Sequence, residues 1–207
     1  MRKLMLKMSM TVDGFVGGPN GELEWLFKSM DEETGAWTVD IIKQAGVHIM
    51  GYRTFMDMKA HWPTSTEVFA KPMNDIPKIA FSRKQKDQRE HQTTGGLKDA
   101  QKFTASLPKT ENTSDWDSSP ILTGDLADEI KKLKQQPGKF ILAHGGASFA
   151  QSLIATRLVD EFVLLTHPVV IGKGLPIFSE LKEPINLKLI STRSFKTGMI
   201  ARIYQPS

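Results

Sequence analysis

Short apolar runs alternate along the chain with stretches whose apolar residues recur at helical spacing. Residues 2–9 read as a strand. Residues 10–31 carry Gly14, Gly17, Gly18, Pro19 and Gly21 and predict a long loop of special conformation. Residues 34–45 place Trp37, Ile41 and Ile42 on one side and read as a helix. Val47-His48-Ile49-Met50 predicts a short strand, 53–60 a short helix, and Ile76 to Ser82 another strand. The polar, mixed stretch 83–119 reads as an excursion containing one or two edge strands. Ile121-Leu122 leads into a helix at 125–135, followed by a strand at 139–143, a helix at 147–157 and a strand from about Glu161 to Thr166. Leu187, Leu189 and Ser191 then alternate, and Lys196-Thr197-Gly198 is a hairpin turn signal between two alternating runs. Strands that alternate with helices and finish in an antiparallel hairpin predict one α/β domain over residues 1–207, with a mixed sheet flanked by helices.

Composition narrows the class. With 207 residues, 40% of them hydrophobic and 24% charged, the chain has the make-up of a soluble globular protein able to bury a core. It contains no cysteine, which excludes disulfides and cysteine-ligated zinc or iron–sulfur centres and points to a reducing cytoplasm. The beginning, MRKLMLKMSM, is basic and then apolar like a signal peptide. Lys7 interrupts it, however, and no apolar stretch reaches the ~18 residues of a membrane span. The net charge of +4 is spread along the chain, with Lys131 and Lys132 beside Asp128 and Glu129. The aromatics are not interleaved with basic residues as in a single-strand binder, so no nucleic-acid partner is expected. A basic pocket for a phosphorylated small molecule accounts for the surplus equally well.

Three strand exits share one device. The strand at 47–50 leaves through Gly51, Tyr52, Arg53 and Thr54 into a helix. The strand at 76–82 leaves through Ser82 and Arg83, and the strand at 139–143 through His144, Gly145, Gly146, Ala147 and Ser148 into a helix carrying Phe149. Ligands of open α/β sheets bind outside the carboxyl ends of strands, and helix N-termini favour phosphates. Arg53 and Arg83 add guanidinium forks suited to a terminal phosphate. Each feature also has a plainer reading. A Gly-Gly pair makes turns, Thr54 caps helices, Arg83 suits a solvated surface, His144 suits a hydrogen-bonded turn, and Trp25 suits a core. Repetition at three exits favours a dinucleotide.

The segments SMTVDGFVGGPNGELEW, MGYRTF, IAFSR, ILTGDL and HGGASFAQSLIATRLVDEFVLLTHPVVIGKGLPIF resemble the dihydrofolate-reductase-like superfamily. They are most similar to stand-alone proteins like the C-terminal reductase domain of the bifunctional riboflavin-biosynthesis deaminase/reductase. The resemblance runs from the first strand to the final hairpin and is weakest over 83–119. It implies a dihydrofolate-reductase fold, NADPH as hydride donor and a homodimer. It places Val16, Gly17, Gly18, Gly51 to Thr54 and Gly145 to Phe149 around the cofactor, with Ser82 and Arg83 near the 2′-phosphate and adenine. It also admits a cis bond between Gly145 and Gly146. Two departures bear on the substrate: Phe15 stands where pyrimidine reductases of the family carry lysine, and His144 where they carry glutamate. True dihydrofolate reductases place an acid on the helix after the tryptophan, and Asp31 lies nearby.

The expectation is an NADPH-dependent reductase acting on a C=N or C=O carbon of a small polar substrate. It resembles 5-amino-6-(5-phosphoribosylamino)uracil reductase or dihydrofolate reductase and needs no metal. Phe15 and Trp25 are the candidate substrate contacts. The proton comes from water, Asp13 or His144, the last because an unperturbed imidazole titrates near neutrality. The alternative is a nucleotide-binding protein of the same fold without turnover. The run DEFVLLTHPVVIGKG is longer than one half-exposed strand requires, so Pro168 to Ile171 is expected to pack against a partner copy in a two-fold dimer.

Overall fold

Strand β5, Ile141–Ala143, is only three residues long, and each is fully buried. It pairs in parallel with β1 (Leu4–Thr11) on one side and β2 (Val47–Gly51) on the other. Both faces of the sheet are covered here, which is why its sequence is a continuous apolar run rather than an alternating one. In the computed structural model the sheet extends outward from this centre. On the β2 side lie β3 (Lys78–Phe81) and β4 (Ile121–Leu122), both parallel. On the β1 side lie parallel β6 (Glu161–His167) and then β8 (Ile200–Pro206) and β7 (Leu187–Ser194), which are antiparallel. The order is β4-β3-β2-β5-β1-β6-β8-β7. The structure describes residues 1–88, 92–110 and 116–207.

Strand alternation divides the core. Leu4, Leu6 and Met8 face one side, where α6 (Leu126–Gln135) and α7 (Ala147–Ala155) pack through Ile130, Leu133, Phe149 and Leu153. Leu142, Val163 and Leu165 face the other side, covered by α2 (Glu32–Lys43) through Trp37, Ile41 and Ile42 and by α4 (Ala70–Asp75) through Met73. The helix α3 (Tyr52–His61) follows β2 directly. Among the described residues no helix is long and apolar enough to cross a membrane.

Two segments differ from expectation. The loop at 10–31 contains a short helix, α1 (Glu24–Lys28). The excursion at 83–119 holds a helix, α5 (Gly95–Phe103), and no strand among its described residues; 89–91 and 111–115 lie outside them. Two glycines open α5 and conceal it in the sequence, since glycine is a poor helix former. They sit in the first turn, where Thr94 accepts a hydrogen bond from the Leu97 amide, and they let the helix approach the Asn20–Leu23 loop. Asp99 of α5 accepts from the Leu23 amide at 2.7 Å, and Phe103 stacks on Phe27 with ring centroids 4.9 Å apart.

The end of the excursion is anchored by Trp116. Trp116 is 2% exposed, packs on Phe55, and donates its indole N–H to Asn74 Oδ1 at 2.8 Å. Replacing it by alanine removes a large buried ring and takes the indole donor from Asn74 Oδ1, while Asn74 Nδ2 keeps its bond to the Trp62 carbonyl. Trp116→Ala is therefore expected to cost about 3–5 kcal/mol, read from urea unfolding. A loss below ~1 kcal/mol would mean that the excursion is not fastened here.

Candidate active site

The N-termini of α3 and α7 meet side by side, and their contact requires glycine. The Gly51 amide donates to the Gly145 carbonyl at 3.1 Å, and the Gly146 amide donates to Thr54 Oγ1 at 2.6 Å. A Cβ on Gly51 would lie 2.9 Å from Phe149 Cβ, and one on Gly146 would lie 2.9 Å from Thr54 Oγ1. Gly145 has φ +90 and would bring a Cβ within 2.8 Å of Met8 Sδ. The Gly145–Gly146 bond is cis. The fold's own packing therefore demands these glycines. Thr54 is not the cap of α3; Gly51 holds that position and the hydroxyl is taken by Gly146.

These helix starts open on a cleft of about 1990 Å³ that runs along the carboxyl ends of the parallel strands. In its first half lie Gly51 to Thr54, Ser82, Arg83 and Gly146 to Phe149, with Val16 at the boundary. Neither α3 nor α7 has a side-chain cap, so their first-turn amides are not claimed by capping side chains. Arg53 and Arg83 are exposed, and among the described residues neither has a hydrogen-bond or ion-pair partner. This donor set fits a phosphorylated dinucleotide such as NADPH: two positive helix ends for the pyrophosphate and two guanidinium forks for a further phosphate.

The other half lies between the sheet and α2. Its floor holds Lys7 of β1, His144 at the end of β5 and His167 of β6, with buried His48 of β2 behind them. The His48 and His144 rings are 4.6 Å apart. His167 Nδ1 hydrogen-bonds Ser29 Oγ at 2.5 Å, and its ring meets Trp25 edge-on. Among the described residues, both nitrogens of His48, Nε2 of His144, Nε2 of His167 and the Trp25 indole nitrogen are buried without a hydrogen-bond partner. The face that α2 turns inward carries Thr34, Gly35 and Thr38, not a carboxylate. Asp31 caps α2, accepting from the Thr34 amide at 2.9 Å.

Several residues singled out in the sequence stand outside the cleft lining. These are Asp13, Phe15, Gly17, Gly18, Trp25 and Gly145. The Asp13 carboxylate accepts from the Gly172 amide at 2.8 Å and the Ile171 amide at 3.2 Å, and these bonds with Thr11 hold it below the usual carboxylate range. It ties the first loop to the segment after β6. Phe15 bridges to Pro176, Gly17 accepts from the Leu175 amide, and Gly18 donates to Glu22. Trp25 reaches the site only through His167. Lys7, His48 and His167 were not singled out. Their signal is present, since each is a basic residue inside or ending an apolar strand.

Burial sets the charges. It pushes His48 down to about 3, with Lys78 adding repulsion, and His167 to about 4, with Lys7 adding. His144 falls well below 6.5 through burial, then His48 and Lys7. All three imidazoles are neutral at pH 7, so His144 offers hydrogen bonds and not a stored proton. Their folded values lie below the unfolded 6.5, so the unfolded chain binds more protons in acid. Stability from these groups is present above pH 6.5 and is lost as pH falls toward the folded values. Going from pH 7 to pH 5 is expected to cost roughly 2 kcal/mol for each of His48 and His167, at 1.36 kcal/mol per unit below 6.5, with His144 acting in the same direction. Urea midpoints at the two pH values measure it, and unchanged midpoints would show that the ring nitrogens are not held neutral.

Known proteins place this architecture. The Thermotoga maritima diaminohydroxyphosphoribosylaminopyrimidine deaminase/5-amino-6-(5-phosphoribosylamino)uracil reductase superposes with a TM-score of 0.66 at 14% identity, over 100% of this chain and 57% of that one. Dihydrofolate reductase from Enterococcus faecalis, in complex with NADP(H), superposes with a TM-score of 0.59 at 10% identity, over 99% of this chain and 96% of that one. The fold is dihydrofolate-reductase-like. In sequence the chain is 32% identical over 203 residues to YyaP of Bacillus subtilis (strain 168), covering 98% of this chain and 94% of YyaP. Residues 2–201 match the RibD C-terminal domain, and the chain belongs to that family.

Proposed function

We propose that the protein is an NADPH-dependent reductase that delivers hydride to a C=N or C=O carbon of a small polar substrate. The observation that carries this reading is the convergence of two uncapped helix N-termini and two unpartnered arginines on one half of a single cleft. The reductase names of the Thermotoga and Enterococcus structures, and NADP(H) in the latter, support it. The first-turn amides of α3 and α7 hold the pyrophosphate, with Ser148 at the rim. Arg53 and Arg83 hold the 2′-phosphate, beside Ser82. Bound there, NADPH supplies the hydride. Val16 and His144 border the place of transfer and orient the reacting groups, and α2 and the first loop exclude water. Neutral His144 positions the substrate by a hydrogen bond from or to Nε2, while water supplies the proton.

A homodimer belongs to the same proposal. Val12, just after β1, and Val170, within the Pro168 to Ile171 segment after β6, are 62% and 67% exposed, and the Val12 amide donates to the Val169 carbonyl. Sedimentation at about tens of micromolar, where a micromolar-affinity dimer persists, is expected to show twice the chain mass; a monomer counts against it.

The cofactor assignment has a sharper test. NADPH is expected to bind more tightly than NADH, and the double variant Arg53→Ala, Arg83→Ala to lose roughly 2–4 kcal/mol of that preference. Fluorescence titration measures both. Equal affinity of the wild type for the two cofactors would sink the assignment. NADPH oxidation against a panel of imines and carbonyls separates a reductase from a nucleotide-binding protein without turnover.

A further inference from the structure

A lysine with no ion-pair partner among the described residues lies on the floor of the cleft, away from the two helix starts. Lys7 sits midway along β1, on the face that also carries Ser9 and Thr11. The register sets Ser9 beside Leu165 and Thr11 beside His167. Among the described residues Lys7 forms no ion pair and no hydrogen bond to protein.

The groups around it are imidazoles where carboxylates would be expected. His144 comes from β5 and His167 from β6, both close enough for the lysine's charge to suppress their protonation, with His48 of β2 behind. From above, α2 adds the hydroxyl residues Thr34 and Thr38. Its acids lie on the cleft lining but off this buried face: Asp31 is the cap, and Glu32 and Asp40 are exposed. The remaining cleft carboxylates are engaged, Glu22 by Asn20, Asp99 by Leu23, Glu67 by His61 and Asp57 by Thr94.

Burial lowers the Lys7 ammonium to about 8, so it is still mostly charged at pH 7. A half-buried cation without a counter-charge is costly, and a ligand that brings the missing charge recovers that cost on binding. His144 Nε2 and His167 Nε2, buried and unpartnered, add two neutral hydrogen-bonding edges. One ammonium and two neutral rings are too few donors for a compact dianion, whereas they match the two oxygens of a carboxylate. The flat sheet below and Leu26 and Phe27 at the wall suit a planar body.

We propose that this half of the cleft binds a small planar organic carboxylate, or an equally flat ionised heterocycle, as the reductase's substrate, with Lys7 as its charge partner and His144 and His167 as its hydrogen-bond partners. The assignment rests on the reductase reading for the word substrate, but not for the anion site itself.

The test follows the Lys7 side chain by carbon-13 NMR across pH, in free and NADPH-treated protein, with benzoate, its neutral isostere benzamide, and inorganic phosphate. Benzoate is expected to raise the Lys7 pKa by at least about one unit, a tenfold preference for the charged form. Benzamide is expected to leave it unmoved, and phosphate to move it less than benzoate. Lys7→Met is expected to keep the NADPH-induced rise in Tm and lose the rise caused by benzoate. A Lys7 pKa indifferent to benzoate, an equal response to benzamide, a larger response to phosphate, or a benzoate effect that survives Lys7→Met would each overturn the proposal. Absence of any NADPH effect on the wild-type Tm would instead remove the reductase reading, while the benzoate titration of free protein still decides the anion site.

Discussion

The contact between the starts of α3 and α7 governs the rest of this molecule. Two hydrogen bonds, Gly51 to Gly145 and Gly146 to Thr54, hold the two helix N-termini against each other. Glycine is needed because the approach leaves no room for a Cβ against Phe149 or Thr54. The contact sits directly above β5, the short strand buried on both faces. Two helix dipoles thus point into one cleft, and the two chain segments that would otherwise fill it with side chains present backbone instead. The glycines build the site by what they allow the helices to do, whether or not a ligand ever touches them.

On the other side of the cleft the fold accepts destabilising groups. Among the described residues His48, His144 and His167 have buried nitrogens without a hydrogen-bond partner, and Lys7 has no counter-charge. Replacement of each by an apolar residue would suit a core better. The same sheet face elsewhere carries Leu142, Val163 and Leu165, where packing is ordinary. Local conflict of this kind is concentrated where the cleft needs polar groups, and the surrounding sheet supplies the rigidity that holds them. His144, neutral on the floor, is one of these polar groups, whereas Phe15 is set outside the cleft lining by its bridge to Pro176.

The α/β alternation, the mixed sheet and the closing hairpin were legible in the sequence, because period-2 and period-3.6 patterns report burial directly and the strand–Gly–helix exits are local; the dihydrofolate-reductase-like fold was legible only through the resemblance of its motifs. Gly51 to Thr54 and Gly146 to Phe149, which line the cleft, follow their strands within a few residues. Helix α5 was not legible, because Gly95 and Gly96 lower its intrinsic propensity and only contact with the Asn20–Leu23 loop shows why they are there. Asp13 reads as a candidate acid in a glycine-rich loop, yet the amides of Ile171 and Gly172, distant in sequence, claim its carboxylate. Lys7, His48 and His167 belong to three strands far apart in the chain. Strand pairing and register gather them on one face, and burial then sets their charges; neither is a local property. The sequence by itself determined most of the strands, helices and turns, though not α1, α4 or α5, because local pattern depends on neighbours along the chain. Tertiary structure alone decided which polar side chains share a floor and which carboxylates are already spent, because those depend on neighbours across the sheet.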